Sequence, residues 1–147
     1  MEATTITIEV NVCTGVNFIL VGLPDSAVKE SQQRVKAAVK SIGLKFPGKE
    51  ITVNMAPADI HKEGSTFDVP IAIGILAASE QLNQNKLDLF IILGELSLDG
   101  HIQAMKGILP IAIQAKKDGM GIWNIDKIEV KALDNAKILL MEVPMNI

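Results

Sequence analysis

A nearly unbroken apolar run over residues 69–78 constrains the fold more than any other feature of the sequence. The run is about half of the ~20 residues that a membrane-spanning helix needs. At helical spacing its apolar side chains cover every side, so such a helix must be surrounded by protein. We predict a buried central helix over residues 67–82, with Thr66 or Asp68 near its N-terminal cap and Pro70 in its first turn.

Alternation of apolar and polar residues predicts strands ahead of this helix. Residues 5–12 and 51–55 alternate with period two, the pattern of a strand with one buried face. Residues 16–21 form a further candidate strand, which the Thr14-Gly15 turn would join to the first as a hairpin.

A first helix is predicted over residues 26–42, with Asp25 or Ser26 as its cap and Gly43 at its end. One face carries a polar row that could dock a partner or phosphate, although the acidic balance of the chain favours a solvated surface. The row consists of Lys29, Gln33, Lys36 and Lys40.

The second half of the chain alternates strands and helices irregularly, which indicates an α+β fold with a mixed sheet. The predicted elements are a strand over 87–93, a hairpin turn at 98–101 into a strand over 102–105, a helix over 107–117, a strand near 128–130 and a helix near 133–140.

Composition indicates one globular domain. The chain has 147 residues, of which 48% are hydrophobic, enough for one sizeable core. A net charge of −3 with both signs interspersed argues against strong DNA binding by this chain alone. Cys13 is the only cysteine, and no secretory signal or membrane segment is visible, so we expect a cytoplasmic protein.

Two short segments resemble ligand sites by chance. Residues 43–50 (GLKFPGKE) match a phosphate-binding loop except that Glu50 replaces the Mg²⁺-binding Ser or Thr, and the segment leads from a helix into a strand instead of the reverse. Asp59, His61 and Glu63 alternate along a polar loop, but without Cys or a second nearby His we favour a structural loop over a metal site. We expect no nucleotide or metal at either place.

Four separated motifs carry a more specific signal: VGLPD at 21–25, ITVNMAPAD at 51–59, KEGSTFDVPIA at 62–72 and LGELSLDG at 93–100. In this order they closely resemble the N-terminal domain of the magnesium-chelatase-like AAA+ ATPases of the ComM/YifB type. The resemblance covers about residues 5–119 and weakens over 120–147.

The resemblance implies a domain with the fold of the Lon protease domain, shared with the second domain of a small-subunit ribosomal protein. In the family this domain precedes an AAA+ module that the present chain lacks, and ATP and magnesium are expected only in that module. The implied partners are the AAA+ module and, through a ring-forming homo-oligomer, DNA during branch migration in transformation and recombination. Magnesium insertion into a porphyrin follows only from the family's name.

Aligned with Lon-type proteases, the chain has Thr66 at the position of the nucleophilic Ser and Leu109 at that of the Lys base. A hydroxyl without an adjacent base is a poor nucleophile, so the dyad is degenerate. A shifted dyad of Ser65 and Lys106 is the alternative, which would make the chain a weak Ser/Thr-Lys hydrolase.

We favour a non-catalytic regulatory or interaction domain. Its expected contact surface is the loop that leads into the buried helix. The members of this loop are Lys62, Glu63, Gly64, Ser65, Thr66 and Asp68.

Overall fold

The structure, a computed structural model, describes residues 3–103 and 108–123. Its main sheet has the strand order β1-β3-β2, formed by β1 (Thr7–Cys13), β2 (Phe18–Val21) and β3 (Glu50–Ala56). β3 pairs antiparallel with β1 and parallel with β2. Every second residue of β3 is buried, so this strand supplies the centre of the core.

The predicted β1–β2 hairpin is wrong, because β3 lies between the two strands. β2 runs directly into helices and then into β3, which makes a β-α-β unit whose crossover places β3 parallel to β2. The short connection over residues 14–17 therefore spans two strand spacings, about 10 Å, instead of forming a tight turn.

The first predicted helix is divided at Glu30 into α1 (Ser26–Lys29) and α2 (Ser31–Ser41). The amide of Gln33 donates to the carbonyl of Glu30, three residues back, which tightens the backbone at the division. Ser31 and Arg34 follow the division and both turn toward Asp68. The polar row on the other face is exposed, in agreement with the sequence.

The buried central helix is confirmed as α3 (Asp68–Ala78). Most of its side chains are inaccessible to solvent, and it packs on β1 on one side and on α2 on another. Pro70 lies in its first turn, as predicted. The fold is therefore α+β, with helices packed on a mixed sheet.

The remaining elements are divided between the main core, which includes Phe90, Leu96 and Ile102, and a second, smaller cluster around Leu93, Ala115 and Ile122. A 3₁₀ turn (Leu87–Leu89) precedes β4 (Phe90–Ile92), and the predicted hairpin is confirmed as β5 (Glu95–Leu96) and β6 (Ile102–Gln103). α4 (Leu109–Lys117) packs against β7 (Gly121–Trp123), a strand that the sequence analysis missed and that pairs parallel with β4.

The strand near 128–130 and the helix near 133–140 lie outside the described residues. Within residues 3–103 and 108–123, no helix has both the length and the apolar character needed to cross a bilayer.

Candidate functional site

The loop that leads into the buried helix, residues 57–67, begins at the edge of the sheet where β2 and β3 both end. Because these strands are parallel, the loop after each of them emerges at the same edge. The Lys62 amide donates to the Leu23 carbonyl (3.0 Å), and the Asp25 amide donates to the Lys62 carbonyl (2.9 Å). These two bonds join the loop over residues 57–67 to the turn after β2.

The side chain of Asp25 also joins these two loops by hydrogen bonds. Its Oδ1 accepts from the Val28 amide (2.8 Å), which caps α1 as the sequence predicted, and its Oδ2 accepts from the Gly64 amide (3.1 Å). The Val28 bond, the Gly64 bond and the nearby His61 charge lower the pKa of Asp25 below its ordinary value. The carboxylate is thus the form that the site favours.

Lys62 is not a surface residue. Its side chain is only 1% exposed, and its Nζ donates to the Pro57 carbonyl inside the loop. Lys62 therefore holds the loop together from within and cannot contact a partner directly.

The amides at the start of α3 are bound by backbone carbonyls. The Asp68 amide donates to the Ser65 carbonyl (3.2 Å) and the Val69 amide to the Gly94 carbonyl (3.0 Å). Thr66 and Asp68 flank the N-cap residue Phe67, near the cap as predicted, but α3 has no side-chain cap, so the expectation that one of them accepts from the first helical amides is wrong. The reason is that the turn before β5 lies against this helix end and supplies the acceptor that a cap would provide.

Asp68 is fully buried and bound from three directions. It accepts from Ser31 Oγ (2.6 Å), from Arg34 Nε (2.6 Å) and Nη2 (3.0 Å), and from the Leu96 amide (3.0 Å). Arg34 also donates to the Ala27 carbonyl (2.8 Å), and its bond to Asp68 raises its own pKa. Asp68 is therefore a structural centre that joins α2, α3 and β5.

Sequence reasoning missed Ser31 and Arg34. The available signal was that Arg34 is the only arginine in the chain, three residues after a Ser on the helix face opposite the polar row. A guanidinium suits a buried carboxylate better than an ammonium does, because its planar donors can bind both oxygens.

The structure describes three of the four protease-like positions: Ser65, Thr66 and Leu109. Ser65 Oγ donates to the Glu95 carboxylate, whereas Thr66 is half-buried at the rim of an apolar cleft of about 680 Å³. Leu109 is the first residue of α4 and 50% exposed. Lys106 lies outside the described residues, so the shifted dyad stays a prediction.

The two segments that resemble ligand sites by chance lie in connections between elements of the fold. Residues 43–50 lead from α2 into β3, the reverse of a phosphate-binding loop. Asp59, His61 and Glu63 are exposed, with 3.8 Å between His61 Nε2 and Glu63 Oε1. In the part of the chain that the structure describes, no three His, Cys, Asp or Glu side chains are grouped to hold a metal ion.

Comparison with known proteins shows the family. Residues 8–123 match the family model described as subunit ChlI of Mg-chelatase. Competence protein ComM of Haemophilus influenzae is 48% identical over 118 residues, 80% of this chain and 23% of that protein. YifB of Escherichia coli is 46% identical over 123 residues, 83% of this chain and 24% of that protein.

A further relative, an uncharacterized protein of Mycobacterium bovis, is 38% identical over 120 residues, 81% of this chain and 24% of that protein. The chain thus spans about a quarter of the length of the curated relatives that it matches. It belongs to the Mg-chelatase ChlI-like family, in which ComM and YifB are its relatives.

Proposed function

We propose that this chain is a non-catalytic N-terminal regulatory or interaction domain of a ComM/YifB-like, magnesium-chelatase-related AAA+ ATPase. In this proposal the domain has a Lon-protease-like fold, and ATP and magnesium are bound by the AAA+ module of the parent protein. The parent forms a ring of identical subunits in the cytoplasm and acts on DNA, with branch migration in transformation and recombination as its role. The name of the competence protein ComM supports the link to transformation.

The bonding of Ser65 and Asp68 is the observation that carries the non-catalytic assignment. Every oxygen of Asp68 is used to join α2, α3 and β5, and the Ser65 hydroxyl is directed at Glu95. Lys62, the lysine of this loop, is buried and donates to Pro57. Activation of a serine hydroxyl needs a strong base within hydrogen-bond reach; the Glu95 carboxylate is a far weaker base than a lysine amine, and Lys62 is engaged elsewhere.

The surface that remains for a partner is the exposed part of the loop. Lys62 and Asp68 are buried and stabilise the loop from inside, whereas the side chain of Glu63 is exposed beside that of His61. We therefore assign the contact with the AAA+ module to Glu63 and the neighbouring backbone. DNA binding by this chain alone is expected to be weak and salt-sensitive, because the exposed lysines of the described residues are scattered and only Lys29, Lys36 and Lys40 share a helix face.

Charge reversal of Glu63 tests the assignment. In the full-length protein, Glu63→Lys should change DNA-stimulated ATP hydrolysis about fivefold or more if the loop couples the domain to the motor. Glu80→Lys is the matched control, since Glu80 is also exposed but follows the opposite end of α3. The free energy of unfolding of each variant should lie within about 0.5 kcal/mol of that of the parent chain. Equal effects of the two variants on hydrolysis would refute the assignment.

The hydrolase alternative has a separate test. A serine-hydrolase probe with a fluorophosphonate group would label Ser65 or Thr66 only if a base activates the hydroxyl. We expect an unmodified chain by mass spectrometry. Labelling that disappears in Lys106→Ala would establish the shifted dyad and overturn the non-catalytic assignment.

A further inference from the structure

β2 is an edge strand of the main sheet, and the direction of its backbone groups can be read from its bonds. The Asn17 carbonyl accepts from the Ile51 amide of β3, and the Leu23 carbonyl accepts from the Lys62 amide. Alternate residues of a strand direct their backbone amides and carbonyls to opposite sides, so the backbone groups of Ile19 and Val21 also face β3. The amides and carbonyls of Phe18 and Leu20 therefore point to the outer edge, where no other described segment pairs with them.

The side chains of β2 are distributed unusually for a surface strand. Phe18 and Leu20 pack against the core, while Ile19 and Val21 on the solvent face are 39% and 44% exposed. On the other edge strand, the equivalent outward residues are polar: Thr7, Glu9 and Asn11. The apolar surface continues past both ends of β2, where Val16 is 90% and Leu23 52% exposed.

Protection by charge or by proline is missing from this short edge strand. Residues 16–23 (VNFILVGL) contain no charged residue and no proline. Natural edge strands usually carry an outward charge, a proline or a bulge that prevents pairing with another chain. A free, uncharged and apolar edge is the template for addition of a further strand.

We propose that β2 pairs antiparallel with β2 of a second copy of this chain and joins the two sheets into one of six strands. A second copy fits because the free edge is self-complementary. With a two-fold axis at Ile19, Phe18 lies opposite Leu20 of the second copy and Leu20 lies opposite its Phe18. In antiparallel sheets such residues exchange both backbone bonds, so the two pairs form four intermolecular hydrogen bonds.

The same register brings the two Ile19 side chains together. A non-hydrogen-bonded pair has the closest side chains of an antiparallel ladder, with Cα atoms about 4.5 Å apart. Ile19 of each copy thus covers that of the other, and Val21 extends the apolar contact on both sides. The pairing depends only on this edge and holds whether or not the chain regulates an ATPase.

Sedimentation velocity of the 147-residue chain under reducing conditions tests the proposal. We expect reversible dimer formation between about 10 and 500 µM, the range of weak interfaces. Ile19→Lys places two like charges face to face and should weaken the dimer at least about tenfold. Asn11→Lys adds the same charge to the solvent face of β1 and should leave the dimer unchanged. A monomer throughout the range, or a dimer that is insensitive to Ile19→Lys, would refute the pairing.

A charge swap tests the register itself. Ile19→Lys and Ile19→Glu should each be monomeric alone, and an equimolar mixture should dimerise because opposite charges then meet at the two-fold axis. In a Cys13→Ser background, which removes the exposed native thiol, Ile19→Cys should form a disulfide-linked dimer on mild oxidation. Asn11→Cys in the same background should not. Failure of the mixture to dimerise would exclude this register.

Discussion

The carboxylate of Asp68 accepts four hydrogen bonds inside the core while Arg34 retains some access to water. Asp68→Asn keeps the volume but turns amide protons toward the Arg34 donors and leaves that cation without its counter-charge. We expect the free energy of unfolding to fall by about 2–4 kcal/mol in urea titrations. Ser31→Ala removes one of the four bonds and should cost about 1 kcal/mol. Equal costs for both variants would contradict the central role of Asp68.

Gly22 and Gly64 have positive φ angles of +113° and +85° and differ in their surroundings. A Cβ on Gly22 would stand 2.2 Å from the Met55 carbonyl oxygen, whereas a Cβ on Gly64 would meet nothing within 4 Å. Gly64→Ala should therefore cost only backbone strain, about 1–2 kcal/mol. Gly22→Ala adds a clash with β3 and should cost about 3 kcal/mol or more. Thermal melts of the two variants compare them directly, and a more damaging Gly64→Ala would refute this account.

At the scale of elements, Asp25 joins the start of α1 to the loop before α3. Its folded-state pKa is lowered, so its contribution to stability is present above the ordinary aspartate pKa of about 3.9 and is lost as the pH falls through the folded value. Asp25→Asn keeps one acceptor and removes the charge. The parent chain should be the more stable of the two at neutral pH, and the difference should shrink below about pH 4. Urea midpoints from pH 7 to 2 would check this, and a constant difference would contradict it.

At the scale of the whole molecule, the direction of the chain decides what the segment at 43–50 can bind. It connects the end of α2 to the start of β3, so no helix N-terminus follows it to cradle phosphate, and Glu50 would repel the anion. We expect calorimetric titration of this chain with Mg-ATP to give no binding heat. Glu50→Ser restores the motif and should bind no better, because the chain direction is unchanged. A saturable isotherm with either protein would refute this prediction.

The candidate site was predictable in part. Asp25 as a helix cap and Pro70 in the first turn of α3 follow from local backbone requirements, which a short sequence window contains. The burial of Lys62 and Asp68 does not follow from local sequence, because it depends on hydrogen-bond partners that local periodicity cannot specify. Asp68 meets Ser31 and Arg34 more than thirty residues earlier and the Leu96 amide 28 residues later. A charged residue in a polar loop is indistinguishable from a surface residue until those partners are placed.

The sequence by itself determined the elements whose signal is periodic: the alternating strands β1 and β3 and the buried helix α3. Each of these patterns reports burial of the element's own faces. Strand order was decided only by the tertiary structure. Because β1 and β2 have similar half-buried faces, their sequences are equally compatible with pairing to each other and with pairing to the two sides of β3. The crossover through α1 and α2 inserted β3 between them and left β2 at the edge. Which backbone edge stays free depends on that insertion, since hydrogen bonding between strands depends on their spatial order and not on their order along the chain.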